Sequence, residues 1–138
     1  SQEIIVRNPY SIRPYQHVLE PLYVYLMIAK AQCENIEFAG YYNVGPDECD
    51  CITTGDLVDL FCKEWGNGQA WKNVCNQGPH EAQFLKLDCS KLKNTFGWGP
   101  RWQITEAVVK TVEWAKVYEQ NDSIVDCMEK QIRLFMLG

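Results

Sequence analysis

Three small groups of residues in this chain have types and spacing suited to binding chemistry. Arg13 lies in the proline-bounded, aromatic-flanked stretch Arg13-Pro14-Tyr15-Gln16. A planar guanidinium there can clamp a phosphate through two parallel N–H donors, and it can equally make a surface ion pair. His80-Glu81 follows Gly78-Pro79 and offers a carboxylate acceptor for sugar hydroxyls, although capping and solvating a turn is the simpler reading of such a pair. Asn43, just ahead of Gly45-Pro46, is of a kind that more often forms a turn than holds a ligand.

Covalent, redox and metal chemistry find less support. No Tyr is followed four residues later by Lys, and the glycines form neither a G-x-G-x-x-G turn nor a P-loop. The chain has 7 Cys and 2 His. There is no C-x-x-C pair, only Cys49-x-Cys51, and His17 and His80 are far apart, so neither a zinc site nor a disulfide framework is expected. Nothing selects one Cys as a nucleophile, and buried, reduced thiols are the expectation.

The elements that must carry these groups fit one domain of 138 residues, of which 46% are apolar, with 5 Trp, 7 Tyr and 5 Phe. A net charge of -5 without a dense Lys/Arg run argues against a nucleic-acid backbone or an anionic membrane as partner. The apolar run Leu22 to Ala29 falls far short of the roughly 20 residues needed to span a bilayer. No secretory signal precedes it, and a cytoplasmic protein is expected.

Ile4 to Val6 reads as a brief strand, and Arg13-Pro14 as extended chain. Val18, Leu22, Tyr25, Leu26, Ala29 and Cys33 fall at helical spacing and predict a buried helix over about 19–33. Tyr41 to Val44 reads as a short strand, and Thr53 with Asp56 as a capping box opening a helix that ends at Gly66. Ala70 to Cys75 is a strand candidate. Leu85 and Leu87 alternate with Lys86 and Asp88, and Asp88 caps a short helix carrying Leu92 and Phe96 up to Gly97. Helices over about 104–120 and from Ile124 onward complete the chain, with Ser123 as a cap and Met128, Ile132 and Phe135 on the apolar face. The predicted fold class is α+β: a mainly helical small domain with several short strands.

The string Ile12 to Leu22 (I-R-P-Y-Q-H-V-L-E-P-L), Tyr42-Asn43-Val44-Gly45-Pro46, His80-Glu81-Ala82, Leu85 to Lys91, Gly97-Trp98-x-Pro100-Arg101-Trp102 and Lys110 to Trp114 occur in that order. Together they resemble the carboxyl-terminal part of the CDP-glucose 4,6-dehydratases, a group of extended short-chain dehydrogenases/reductases. The resemblance spans residues 4 to about 118. It implies the nucleotide-sugar-binding domain, over 1–138, of a longer enzyme whose Rossmann domain, with NAD and the catalytic Tyr and Lys, is absent here. It also implies a cytoplasmic lyase of deoxysugar and lipopolysaccharide O-antigen biosynthesis that is a homo-oligomer at full length. Such an enzyme turns CDP-glucose into CDP-4-keto-6-deoxyglucose, oxidising C4, losing water across C5 and C6, and returning the hydride to C6.

By the same resemblance Arg13 stands where relatives place a phosphate-binding arginine, with Asn8 in the loop leading to it. Glu81 stands where relatives have an Asp bonding the ribose, with His80 beside it, and Tyr15 and Asn43 are neighbours of the site. No catalytic, cofactor-binding or metal-binding residue is expected in this chain, and CDP-glucose or CDP is the expected ligand. The chain departs from the dTDP-type pattern, since Gln77 and Gln83 replace arginines and Phe84 a tyrosine. The same domain of a related nucleotide-sugar epimerase or dehydratase, or a noncatalytic nucleotide-sugar-binding module, are the alternatives.

Overall fold

The computed structural model describes residues 3–74 and 84–138. Strands β1 (Ile4–Val6) and β2 (Ile12–Pro14) precede helix α1 (Leu19–Glu34). Two single-turn 3-10 segments, Ile36–Phe38 and Glu48–Asp50, lead to β3 (Cys51–Thr53), α2 (Thr54–Trp65) and β4 (Trp71–Asn73). Helices α3 (Ser90–Phe96), α4 (Ile104–Glu119) and α5 (Ile124–Leu137) follow. The architecture is therefore α+β and mostly helical, as the sequence predicts.

Local chemistry accounts for the boundaries. The Thr53 side chain accepts from the Asp56 amide and Asp56 answers to the Thr53 amide, the reciprocal box that opens α2. Ser123 accepts from the Asp126 amide at 3.3 Å and opens α5. Asp88 accepts from the Ser90 amide at 2.9 Å, so its carboxylate serves the first turn of α3, and Gly97 at φ 62 ends that helix in the left-handed region.

Among the described residues the strands make two small ladders. β1 pairs with β4 in parallel, Ile4 opposite Trp71 and Val6 opposite Asn73. β2 pairs with β3 antiparallel, setting Arg13 opposite Ile52. Two apolar clusters lie to either side. Val24, Leu92 and Trp98 gather Tyr23, Tyr42 and Phe96 between α1 and α3. Ile104, Val108 and Val112 of α4 meet Leu57, Phe61 and Trp65 of α2, with Ile52 from β3 and Tyr15 just after β2. Each large aliphatic side chain closed into these clusters contributes on the order of 1.5–3 kcal/mol.

Several expectations change. Tyr41 to Val44 forms no strand; Asn43 and Tyr42 are tied instead by side-chain bonds to the Asp88 and Phe38 carbonyls. β3, unpredicted, forms because β2 supplies its partner from across the sequence. Helix α1 is not buried as a whole: among its residues only Glu20 and Val24 are buried, while Leu22, Tyr25 and Leu26 are 47%, 59% and 73% exposed. On α5 the buried positions are Cys127, Gln131 and Phe135 rather than Met128 and Ile132. The cysteines described are free thiols, but Cys33 and Cys49 are exposed rather than buried.

Candidate functional site

The site predicted from sequence centres on β2, and the structure builds that strand into a hydrogen-bonded frame. Arg13 is half-buried; its Nη1 donates to the Ile12 carbonyl at 2.9 Å, and its own carbonyl accepts from the Tyr15 amide at 3.1 Å. The Tyr15 hydroxyl meets Thr54 Oγ1 at 2.8 Å, and Ser11 Oγ meets the same oxygen at 3.0 Å. Ser11 Oγ also donates to the Asn8 carbonyl at 3.1 Å. A chain of hydroxyls thus joins Asn8, Ser11, Thr54 and Tyr15 where β2 meets the start of α2. Gly55 completes the junction: its amide donates to the Pro9 carbonyl at 2.8 Å, and a Cβ there would come within 3.2 Å of that oxygen.

Beyond β2 the chain returns at Phe84, which forms a parallel bridge with Ile12, and the Leu85 amide donates to the Ile12 carbonyl at 3.1 Å. His80 and Glu81 lie outside the described residues. Asn43 does not join the Arg13 frame; its Nδ2 donates to the Asp88 carbonyl at 3.0 Å and pins the loop after α1 to the chain entering α3. The structure therefore assembles Asn8, Arg13 and Tyr15 on one strand and its flanks, and gives Asn43 a supporting contact elsewhere. Tyr15 has its hydroxyl engaged by Thr54 and its ring against the α2–α4 cluster.

Glu20 and His17, which follow β2 in the sequence, are buried ionisable groups. Glu20 is fully buried, and its Oε1 accepts from the Arg101 and Trp102 amides, both at 2.8 Å. Burial pushes its carboxyl above the ordinary value, against the opposing pull of those amides and of the Arg101 charge. Arg101 in turn donates to the Phe135 carbonyl at 2.7 Å and lies 4.4 Å from the Tyr23 ring centroid. His17 accepts from the Leu19 amide at 3.2 Å and packs edge-on to Trp102, and burial, with Lys110 adding repulsion, lowers its pKa. Glu20 was legible as a signal: it falls one helical turn before Val24 and two before Met27, a carboxylate within an apolar stripe.

Four of the thiols are poor nucleophiles. Burial raises the Cys51, Cys62, Cys89 and Cys127 thiols above their ordinary range. Among the described residues no three His, Cys, Asp or Glu gather to hold a metal ion.

Over 137 residues the chain is 40% identical to a protein of Salmonella typhimurium (strain LT2) named CDP-glucose 4,6-dehydratase. The chain is similar to that dehydratase. The match takes in 99% of this chain and 38% of the dehydratase, in its carboxyl-terminal part, so the chain spans well under half of the relative's length. The resemblance read from the sequence is borne out. No family model matches the chain.

Among the described residues the β3–α2 junction does not fit an NAD site. A dinucleotide needs a glycine-rich turn between strand and helix whose amides approach the diphosphate closely. The strand-to-helix junction of β3 and α2 carries the single Gly55, and the space before it is filled by Pro9. No helix among the described residues is long and apolar enough to cross a membrane.

Proposed function

We propose that this chain is the nucleotide-sugar-binding part of a CDP-glucose 4,6-dehydratase. The observation that carries the reading is the 40% identity to the dehydratase across 99% of the chain. The geometry of β2 supports it. Arg13 is held on a strand whose backbone is paired with β3 on one side and with Phe84 and Leu85 on the other. A guanidinium anchored in this way loses little freedom when it receives a diphosphate.

In this reading Arg13 grips the diphosphate, Glu81 bonds the ribose hydroxyls, and Asn8, Tyr15, His80 and Asn43 shape the site. The hydroxyl chain through Ser11 and Thr54 holds β2 at a fixed height against α2, so the guanidinium is placed before ligand arrives. The whole enzyme is a cytoplasmic, homo-oligomeric lyase of deoxysugar and O-antigen biosynthesis. It converts CDP-glucose into CDP-4-keto-6-deoxyglucose with loss of water. The NAD that supports this reaction, and the catalytic Tyr and Lys, belong to a preceding domain, and the 138 residues alone are inactive.

The test is a competition assay. The chain is joined behind the amino-terminal portion of the Salmonella dehydratase, and the product is followed with CDP-glucose, UDP-glucose and dTDP-glucose. Formation of the 4-keto-6-deoxy product from CDP-glucose in preference to the others is expected. Preference for another nucleotide-sugar, or epimerisation without water loss, would overturn the assignment.

A further inference from the structure

Two thiols remote from each other in the sequence face one cavity. Cys51 opens β3, and Cys89 immediately precedes α3. Both line a cavity of about 440 Å³ whose walls also carry Lys86, Lys93, Asp47 and Glu48. Their sulfurs are held over one short segment: the Cys89 thiol donates to the Gly45 carbonyl at 3.9 Å, and the Cys51 thiol to the Asp47 carbonyl at 3.8 Å. Two residues of extended chain span roughly 7 Å, so both sulfurs lie against the same three-residue loop. The thiols also sense each other, since a charge on Cys51 disfavours ionising Cys89.

These thiols are lightly held. An S–H group is a weak donor, so little is lost when either sulfur swings off its carbonyl into the cavity. Cys51 is half-buried, Cys89 is buried, and both are free. Buried Cys127, by contrast, lines a cavity with Glu113, Asp126 and Lys130 but with no second cysteine among the described residues. Position gives a bond between Cys51 and Cys89 a consequence. β2 lies between β3, where Cys51 is opposite Pro14, and the chain from Phe84 that runs on to Cys89. A link between the two cysteines joins both flanks of the strand that carries Arg13.

We propose that Cys51 and Cys89 form a reversible dithiol–disulfide pair that clamps β2. The oxidant is hydrogen peroxide. The Cys51 thiolate, the more accessible of the two, attacks one peroxide oxygen; the O–O bond breaks, hydroxide leaves and takes up a proton, and the sulfur becomes a sulfenic acid. The Cys89 thiolate then attacks the Cys51 sulfur; the S–O bond breaks, hydroxide leaves as water after protonation, and the S–S bond forms. In sum two thiols and one peroxide give one disulfide and two waters, with two electrons passing from sulfur to oxygen. A dithiol reductant reverses the change by exchange. Burial holds both thiols above their ordinary range, so the first step draws on a small thiolate fraction and is slow. Disulfides formed in reducing compartments are usually transient and redox-sensing. None of this depends on the nucleotide-sugar ligand.

The test treats the 138-residue chain with hydrogen peroxide, alkylates the remaining thiols and maps the unreduced peptides by mass spectrometry. A linked Cys51–Cys89 peptide is expected, with two alkylatable thiols lost per chain and regained in dithiothreitol. In the linked chain, amide exchange through β3 and at Leu85 is expected to slow at least threefold. Cys51→Ser should leave Cys89 alkylatable, and Cys89→Ser should leave Cys51 as a sulfenic acid that dimedone traps. If the serine at the buried position prevents folding, the peptide map of the natural chain still decides. Cys51 and Cys89 both alkylated after Cys33 and Cys49 have been oxidised would overturn the proposal, as would a Cys49–Cys51 link or one between two chains. A Cys51–Cys89 link that leaves exchange in β3 and at Leu85 unchanged overturns the clamp.

Discussion

The Leu85 amide donates to the Ile12 carbonyl at 3.1 Å, one residue from Arg13. That bond stitches the chain leading into α3 onto the open side of β2. Beside it Phe84 forms a parallel bridge with Ile12, so the chain from Phe84 onward is held against the strand that carries Arg13. Ile12 and Phe84, 72 positions apart in the sequence, are thereby neighbours, a relationship that the spacing of the residues alone does not reveal.

Glu20 sets a testable pH dependence. Its folded carboxyl titrates above the ordinary value because it is buried. The folded state therefore holds a proton that the unfolded chain has released. This contribution to stability is fully present below the ordinary carboxyl value and is lost as pH rises through the raised one. Glu20→Gln, which keeps an oxygen for the Arg101 and Trp102 amides, should flatten that slope in denaturant titrations between acid and neutral pH. Glu20→Ala leaves both amides without their acceptor and should cost about 1–3 kcal/mol.

His17 acts in the opposite sense. Burial and the Lys110 charge hold its folded pKa below 6.5, so protonation opposes folding. Stability should fall as pH drops through the ordinary imidazole value, and His17→Gln should remove that acid-side loss. A His17→Gln variant with an unchanged acid limb would show that other groups set it.

The hydroxyl chain is separable by a double-mutant cycle. Tyr15→Phe and Thr54→Val each remove one end of the 2.8 Å contact and should each cost about 0.5–1.5 kcal/mol. The double variant should cost less than the sum, since both changes break the same bond. Strict additivity in chemical denaturation would mean that the contact contributes nothing.

The capping box of α2 predicts a local effect. Thr53→Ala deletes the acceptor for the Asp56 amide and should destabilise by about 1 kcal/mol. Amide exchange in the first turn of α2 is the measurement, and faster exchange confined to that turn is expected.

Much of this fold is legible in the sequence because its helices announce their own ends. The Thr53-x-x-Asp56 box, the Ser123 cap and Gly97 each act within a few residues, so the spans of α2, α3 and α5 follow from local chemistry. What is not legible depends on partners far along the chain. β3 exists because β2 pairs with it, whereas Tyr41 to Val44, with a better strand composition, has no ladder partner among the described residues. The burial of α1 is overread for a related reason. Its apolar residues go nearly all round, and only the side with Glu20 and Val24 meets this chain's own core, leaving Leu26 at 73% exposure. Of the site, Arg13 is legible by residue type and its Pro14 neighbour. The Ser11 and Thr54 hydroxyls that hold its strand are not, because serine and threonine are common and only the β2–α2 junction gives these two a role.

In the proposed reading β2 presents Arg13 to a cytidine diphosphate. This is tested most directly by titrating CDP into the isotope-labelled chain and following backbone amide shifts, in the natural sequence and in Arg13→Ala. Shifts concentrated at Ile12, Arg13 and Tyr15 and at Phe84 and Leu85 are expected, with affinity falling about ten- to a hundredfold in Arg13→Ala, the loss of one charge-assisted contact. Saturable shifts of the same size and affinity in Arg13→Ala, or none in these segments, would contradict it.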